Sequence, residues 1–176
     1  RRLICFGPLW DEMSLKIILT KGIPGSGKST WVSEMLSKFP GTYKNICKDD
    51  LRIMFDRGKH SKSNENFLLR VRDMLIVESL NQGKSVICSD TNLNPIHEQR
   101  IREIADEWNK TNNSKKKVLV EVKFFDVPLE ECIRRDKNRQ NPVGEAVIRD
   151  MYNKYLKKEA IKIARNPTLS DVIICD

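Results

Sequence analysis

The chain has 176 residues, 39% hydrophobic and 32% charged, a balance that excludes both a disordered and a collagen-like polypeptide. A chain of this length buries roughly 70% of its unfolded surface and needs neither disulfides nor a structural metal to fold. Lysine and arginine outnumber aspartate and glutamate by 32 to 24, and the net charge of +8 suits a phosphate-rich partner, though it equally describes a basic, soluble surface.

Residues 1–12 carry Arg1-Arg2, a short apolar patch and Gly7-Pro8, and read as an upstream or expression-derived extension. Leu15–Lys21 has the continuous apolar character of a buried strand. A glycine-rich turn follows, then a helix from about Ser29 to Lys38, stopped by Pro40-Gly41. Tyr43–Cys47 reads as a short strand and Asp50–Arg57 as a brief helix with Leu51, Met54 and Phe55 on one side. Gly58 to Asn64 is a basic, polar loop. The next helix, Asn64–Asn81, sets Phe67, Leu68, Val71, Leu75 and Val77 near helical spacing.

Ser85–Ser89 is a third apolar strand, and Asn94-Pro95 starts a helix through Ile101, Ile104 and Trp108, with proline at its favoured first position. The Lys110–Lys117 run reads as a solvated loop. Val118–Phe125 is a fourth strand, followed by helices over Leu129–Arg139 and Val143–Ile163. Strands separated by helices of this length imply an α/β fold, a parallel sheet with helices on both faces. The apolar segment Asp171–Asp176 is either a fifth strand or the first strand of a further domain. The expected organisation is therefore a leader over 1–12, one domain over 13–165, and a linker with a possible strand over 166–176. No apolar run approaches the ~18 residues of a membrane span, so no membrane partner is expected. The five cysteines are odd in number and scattered, which reads as reduced thiols in a cytoplasmic compartment and not as a metal or disulfide framework.

Gly22-Ile23-Pro24-Gly25-Ser26-Gly27-Lys28-Ser29 fits G-x-x-x-x-G-K-[ST] between a strand and a helix. Glycines let the backbone wrap a polyphosphate and aim N–H groups at its oxygens, and the helix start adds its positive dipole end. Gly22, Pro24, Gly25, Ser26, Gly27, Lys28, Ser29 and Thr30 are the expected nucleotide-binding residues. Lys28 reaches the β- and γ-phosphates and the Ser29 hydroxyl ligates Mg²⁺. Asp90 ends the third strand, where ligands bind in open α/β sheets, and either holds Mg²⁺ with Ser29, orients an arginine, or serves as a turn or cap residue. In Lys48-Asp49-Asp50-Leu51-Arg52, Asp49 and Arg52 are three apart around a helix start and can face one acceptor, with Asp50 as helix cap and Asp49 as general base. Arg135 and Arg139 are four apart, share a helix face, and form a mobile lid over the nucleotide in which Arg139 stabilises the migrating phosphoryl group.

Taken in order, G-x-P-G-S-G-K-S-T-W, K-D-D-L-R, S-D-T-N-L-N-P, F-D-V-P and R-R-D-K-N-R closely resemble the kinase domain of phage polynucleotide 5′-kinase/3′-phosphatases, from about Leu15 to Lys158. The resemblance implies an adenylate-kinase-like P-loop sheet with a helical lid. It implies transfer of the γ-phosphate of ATP, or another triphosphate, to a 5′-hydroxyl of DNA or RNA, with Mg²⁺. By position, Asp49 looks like the general base, Arg52 the arginine that engages the acceptor phosphate with Asp90 beside it, and Arg135 and Arg139 the lid arginines on the triphosphate. Lys48 stands where the family can carry arginine, which keeps the charge but not the bidentate geometry. In that family a phosphatase domain follows, and Val172–Asp176 looks like its opening strand. A kinase of a small metabolite and a nucleotide-dependent end-binding module without turnover are the alternative readings.

Overall fold

The computed structural model describes residues 14–112 and 116–157. Its elements run β1 (Ser14–Lys21), α1 (Lys28–Lys38), β2 (Tyr43–Ile46), α2 (Lys48–Asp56), α3 (Lys62–Asn81), β3 (Ser85–Cys88), α4 (Pro95–Thr111), β4 (Lys117–Phe124), α5 (Leu129–Lys137) and α6 (Glu145–Met151), the last continuing into a π-helical turn at Tyr152–Leu156. The chain divides into two units. One holds β1 and residues 28–124; the other holds residues 22–27 and the chain from Phe125 onward. The leader over 1–12, the possible strand at Asp171–Asp176 and the end of the helix expected over Val143–Ile163 lie outside the described residues.

In the first unit the strands lie in the order β2-β3-β1-β4, and every neighbouring pair is parallel. β1 is interior, with Ile17 opposite both Val86 and Val120, which explains why its sequence is apolar on successive residues and does not alternate. Leu15, Ile17 and Leu19 face Leu68, Ile76 and Leu80 of α3 and Ile101, Ile104 and Trp108 of α4. Ile18 and Ile87 face the other way, onto Val32 of α1. Helices thus cover both faces, as expected, and each aliphatic side chain fully buried between them contributes about 1.5–3 kcal/mol. Asn109 clamps the end of α4 to β4: its amide donates to the Val118 carbonyl at 3.0 Å and its Oδ1 accepts from the Val118 N–H at 2.8 Å. Asn94 caps α4 ahead of Pro95, accepting from the Ile96 N–H at 3.2 Å.

Several local expectations change. α2 begins at Lys48, so Asp50 does not cap it; Asp49 and Asp50 both sit in its first turn, after Cys47. Met54 and Phe55 point outward, 73% and 43% exposed. α3 begins at Lys62, capped by Ser61, whose Oγ accepts from the Asn64 N–H at 3.1 Å. Its buried stripe is Leu68, Arg72, Ile76 and Leu80, while Phe67, Leu75 and Val77 are exposed. α5 stops at Lys137, so Arg139 lies beyond it and does not continue the helical face of Arg135.

In the second unit Ile23, Cys132, Ile133 and Ile148 are buried. Asp136, 1% exposed, organises the turn between α5 and α6 by accepting from the Val143 N–H at 3.2 Å and the Gly144 N–H at 2.9 Å.

Candidate active site

The 22–27 loop is fitted closely to its own unit. Gly25 has φ +83°, and a Cβ there would run into the backbone carbonyl of Cys132. Only glycine satisfies both the left-handed backbone and the contact. At Gly27 a Cβ would lie 3.9 Å from Nη1 of Arg135, so the arginine's charged end stands near the loop. Arg135 is steadied by Glu131, whose Oε1 accepts from its Nε at 2.6 Å. Arg139 pairs loosely with Asp136, Nη1 to Oδ1 at 3.5 Å. Pro24 and Ser26 are buried in the loop.

The loop runs on in sequence into α1 of the first unit. Lys28, the first residue of α1, is buried, and Ser29 and Thr30 are exposed in the same turn. That turn itself carries no acidic residue.

Because β1, β3 and β2 are adjacent and parallel, their carboxyl ends lie side by side along one edge of the sheet. Asn92 holds that edge in shape. It sits at φ +43°, is 2% exposed, and donates through Nδ2 to the carbonyls of Thr20 (3.0 Å), Cys88 (3.1 Å) and Asp90 (3.2 Å). The Thr20 hydroxyl donates to the Cys88 and Asp90 carbonyls at 3.3 and 3.1 Å. Sequence reasoning passed over Asn92; the signal available was an asparagine, which tolerates the left-handed region, one turn past a strand end.

Asp90 is 8% exposed, and its Oδ1 accepts from the Lys48 N–H at 2.8 Å and from the Cys47 thiol at 3.7 Å. It therefore caps α2 from another element, placing a negative charge at that helix's positive end. The cap reading of Asp90 is thus observed, at a helix remote from it in sequence. Burial raises its carboxyl above the ordinary aspartate value, against the pull of Lys48. The same burial, with Asp90 close by, pushes the Cys47 thiol up to about 11.

Arg52, 8% exposed, is held between two carboxylates: its Nη1 donates to Asp49 Oδ1 at 2.5 Å and its Nε to Glu65 Oε1 at 2.7 Å. The Asp49 side chain is 75% exposed, whereas that of Glu65 is 24% exposed. Hydrogen bonding to Arg52 lowers the Glu65 carboxyl below its usual range, and Glu65 in turn raises Arg52. The structure thus brings Asp49 and Arg52 together as expected, and adds Glu65, which lies thirteen residues from Arg52 and left no local signal.

The residues present fit a hard dication. Asp90 Oδ2 is buried and has no hydrogen-bond partner among the described residues, and oxygens of Asp49 and Asp90 lie within 4.8 Å of each other and of the Cys47 sulfur. A hard dication prefers the carboxylate oxygens of this group to the sulfur. Among the described residues no helix is long and apolar enough to cross a membrane.

A parallel sheet wrapped on both faces, with a Gly-Lys-Ser loop between β1 and α1, defines a P-loop domain with the fold of P-loop kinases. The chain belongs to the AAA domain family, whose pattern residues 17–157 match. It is similar to a chain of the Pnkp1/Rnl/Hen1 RNA repair complex, with 22% identity and a TM-score of 0.65, over 83% of this chain and 46% of that one. A second structure of a Pnkp1/Rnl/Hen1 complex matches at 24% identity and a TM-score of 0.59, over 70% of this chain and 39% of the other. The APS kinase CysC of Mycobacterium tuberculosis, in complex with AMPPNP and APS, matches at 22% identity and a TM-score of 0.51, over 71% of this chain and 70% of that one. These are likenesses of fold. The chain spans less than half the length of the chains it matches in the two Pnkp1/Rnl/Hen1 structures.

Proposed function

We propose that this chain is a Mg²⁺-dependent kinase that transfers the γ-phosphate of ATP, or another nucleoside triphosphate, to the 5′-hydroxyl end of DNA or RNA, as end repair requires. The observation that carries the reading is the pairing of Arg52 with Asp49 at the start of α2, along the sheet edge where β1 leads into the phosphate loop. A buried guanidinium beside an exposed carboxylate is the pair that an anionic alcohol acceptor needs: the cation grips its phosphate, the carboxylate takes its hydroxyl proton.

In this reading Lys28 and the loop N–H groups hold the triphosphate, and Ser29 with Asp90 holds the metal, which when bound neutralises charge on the phosphates. Asp49 accepts the 5′-hydroxyl proton as the sugar oxygen bonds to the γ-phosphorus and the bond to the β,γ-bridging oxygen breaks, releasing the nucleoside diphosphate. Arg135 and Arg139 offset charge on the migrating group. Support comes from the ordered motifs, the AAA domain match and the fold shared with chains of the Pnkp1/Rnl/Hen1 assemblies.

The fold is also that of an APS kinase, so a small-metabolite acceptor is the competing reading. The deciding assay is transfer of labelled γ-phosphate to a 5′-hydroxyl oligonucleotide at several salt concentrations. Transfer is expected from the native chain, with a 10²- to 10⁴-fold loss in Asp49→Asn, of the order general-base removal brings. Affinity for the oligonucleotide is expected to fall steeply with salt. No transfer, full activity in the variant, or a salt-independent affinity overturns the reading.

A further inference from the structure

Beyond Arg52, α2 and α3 carry a feature that the phosphoryl-transfer chemistry leaves unused. Phe55 and Phe67 meet edge to face, with centroids 5.3 Å apart and an interplanar angle of 87°. They are 43% and 41% exposed, and Ile53 and Met54 beside them are 64% and 73% exposed. Edge-to-face packing leaves at least one face of each ring free of its partner. The turn that joins the two helices carries Arg57, Lys59 and His60, and α3 opens on Lys62; all four are exposed, with no acidic residue among residues 57–62. Nearby, Asp56 is exposed, and Glu65 is committed to Arg52.

We infer that the α2–α3 hairpin is a base-stacking subsite for a single-stranded stretch of nucleic acid, with Phe55 and Phe67 as the platform and Arg57, Lys59 and Lys62 tracking the phosphates. The inference rests on the polynucleotide-acceptor reading and extends it by naming where nucleotides beyond the acceptor end are held. Aromatic rings flanked by cations form the platforms on which single strands bind, because every base has a π-face and every linkage a negative charge. Protein interfaces, by contrast, are depleted of lysine at their centres. Two links join the same pair of helices, Arg52 to Glu65 and Phe55 to Phe67, so the platform is fixed to the group proposed to grip the acceptor phosphate.

The test is fluorescence anisotropy without triphosphate, comparing a short oligothymidylate or oligouridylate with an abasic oligomer of equal length. Stacking of one base at ~1–3 kcal/mol corresponds to a preference of roughly 5- to 100-fold for the base-bearing strand. Phe55→Leu and Phe67→Leu should each erode that preference while leaving ATP affinity unchanged, and Phe55→Tyr should retain it. Lys59→Gln and Lys62→Gln should keep the preference but lower the slope of log affinity against log salt by about 0.7 each. Melting curves establish that each variant is folded. Equal binding of the two oligomers overturns the inference, as does a preference untouched by the leucine variants. Loss of self-association in those variants, with oligonucleotide binding intact, also overturns it and makes the patch an interface between copies of the chain. Base-dependent binding that the leucine variants abolish, in a chain that transfers no phosphate, upholds the subsite and removes the kinase reading, so the two fail separately.

Discussion

Glu65→Gln isolates the less exposed partner of Arg52, the residue proposed to grip the acceptor. Glu65 Oε1 accepts from Arg52 Nε at 2.7 Å, and the glutamate side chain is 24% exposed against 75% for Asp49, the other partner. The Asp49 pair is therefore strongly screened, and most of the compensation for burying Arg52 falls to Glu65. A hydrogen bond to a charged group contributes about 1.5–3 kcal/mol and a neutral one about 0.5–1.5, so exchanging carboxylate for amide costs about 1 kcal/mol. In a domain of this size that lowers Tm by about 2–4 °C. The pH dependence carries a definite sign. The Glu65 carboxyl is lowered from its ordinary value near 4.5, so its contribution is present above pH 4.5 and is lost as pH falls through the lowered folded value. The Tm gap between native chain and variant should be full near pH 6 and close as pH falls through that lowered value, below which protonated glutamate resembles glutamine. Because Arg52 then sits less firmly, the KM for a 5′-hydroxyl oligonucleotide should rise about fivefold while that for ATP stays constant. A Tm gap that is absent near pH 6, or that does not narrow on acidification, refutes the argument that charge on Glu65 holds Arg52.

Gly25→Ala forces a Cβ into the Cys132 backbone at φ +83° and should abolish ATP binding by calorimetry while melting shows a loss of about 1–3 kcal/mol; unchanged affinity would mean that the loop tolerates a side chain. Cys47, held at about 11, should be alkylated at pH 7 at least about 100-fold more slowly than an ordinary thiol in peptide-mapped iodoacetamide labelling, and Asp90→Asn should narrow that gap. Rapid labelling of Cys47 in the native chain would rule out the half-buried, Asp90-flanked thiol. Burial first, with the charges of Lys48 and Arg72, holds His97 down to about 4, so its contribution is lost as pH falls from 6.5 toward 4; His97→Gln should flatten that part of the Tm profile, and an unaltered profile would count against it.

What was legible in the sequence was what local spacing encodes. The phosphate loop, the strand–helix alternation and the Asn94-Pro95 helix start each lie within a few residues, and each is observed. Helix phase was misjudged where a charged residue holds a core position. In α3 the inward stripe passes through Arg72, 2% exposed and bonded to Asp73, so apolar spacing alone finds Leu68 and Val71 but also admits Phe67, Leu75 and Val77, which are exposed. In α2 buried Arg52 sits beside Leu51 and turns Met54 and Phe55 outward in the same way.

Both misjudged helices meet the carboxyl edge of the sheet, and the cause is common to them. A guanidinium is costly to bury, and the chain meets that cost with a carboxylate for each: Glu65, thirteen residues away, for Arg52 and the adjacent Asp73 for Arg72. Apolar packing would stabilise these positions at least as well, since replacing a buried ion pair with hydrophobic residues is often neutral or better. Charge kept at that cost, along the edge where β1 enters the phosphate loop, is what the proposed anionic acceptor would use. With Arg52 inward on α2 and Arg72 inward on α3, Phe55 and Phe67 lie outside the core, so each exposed ring accompanies a buried arginine of its own helix.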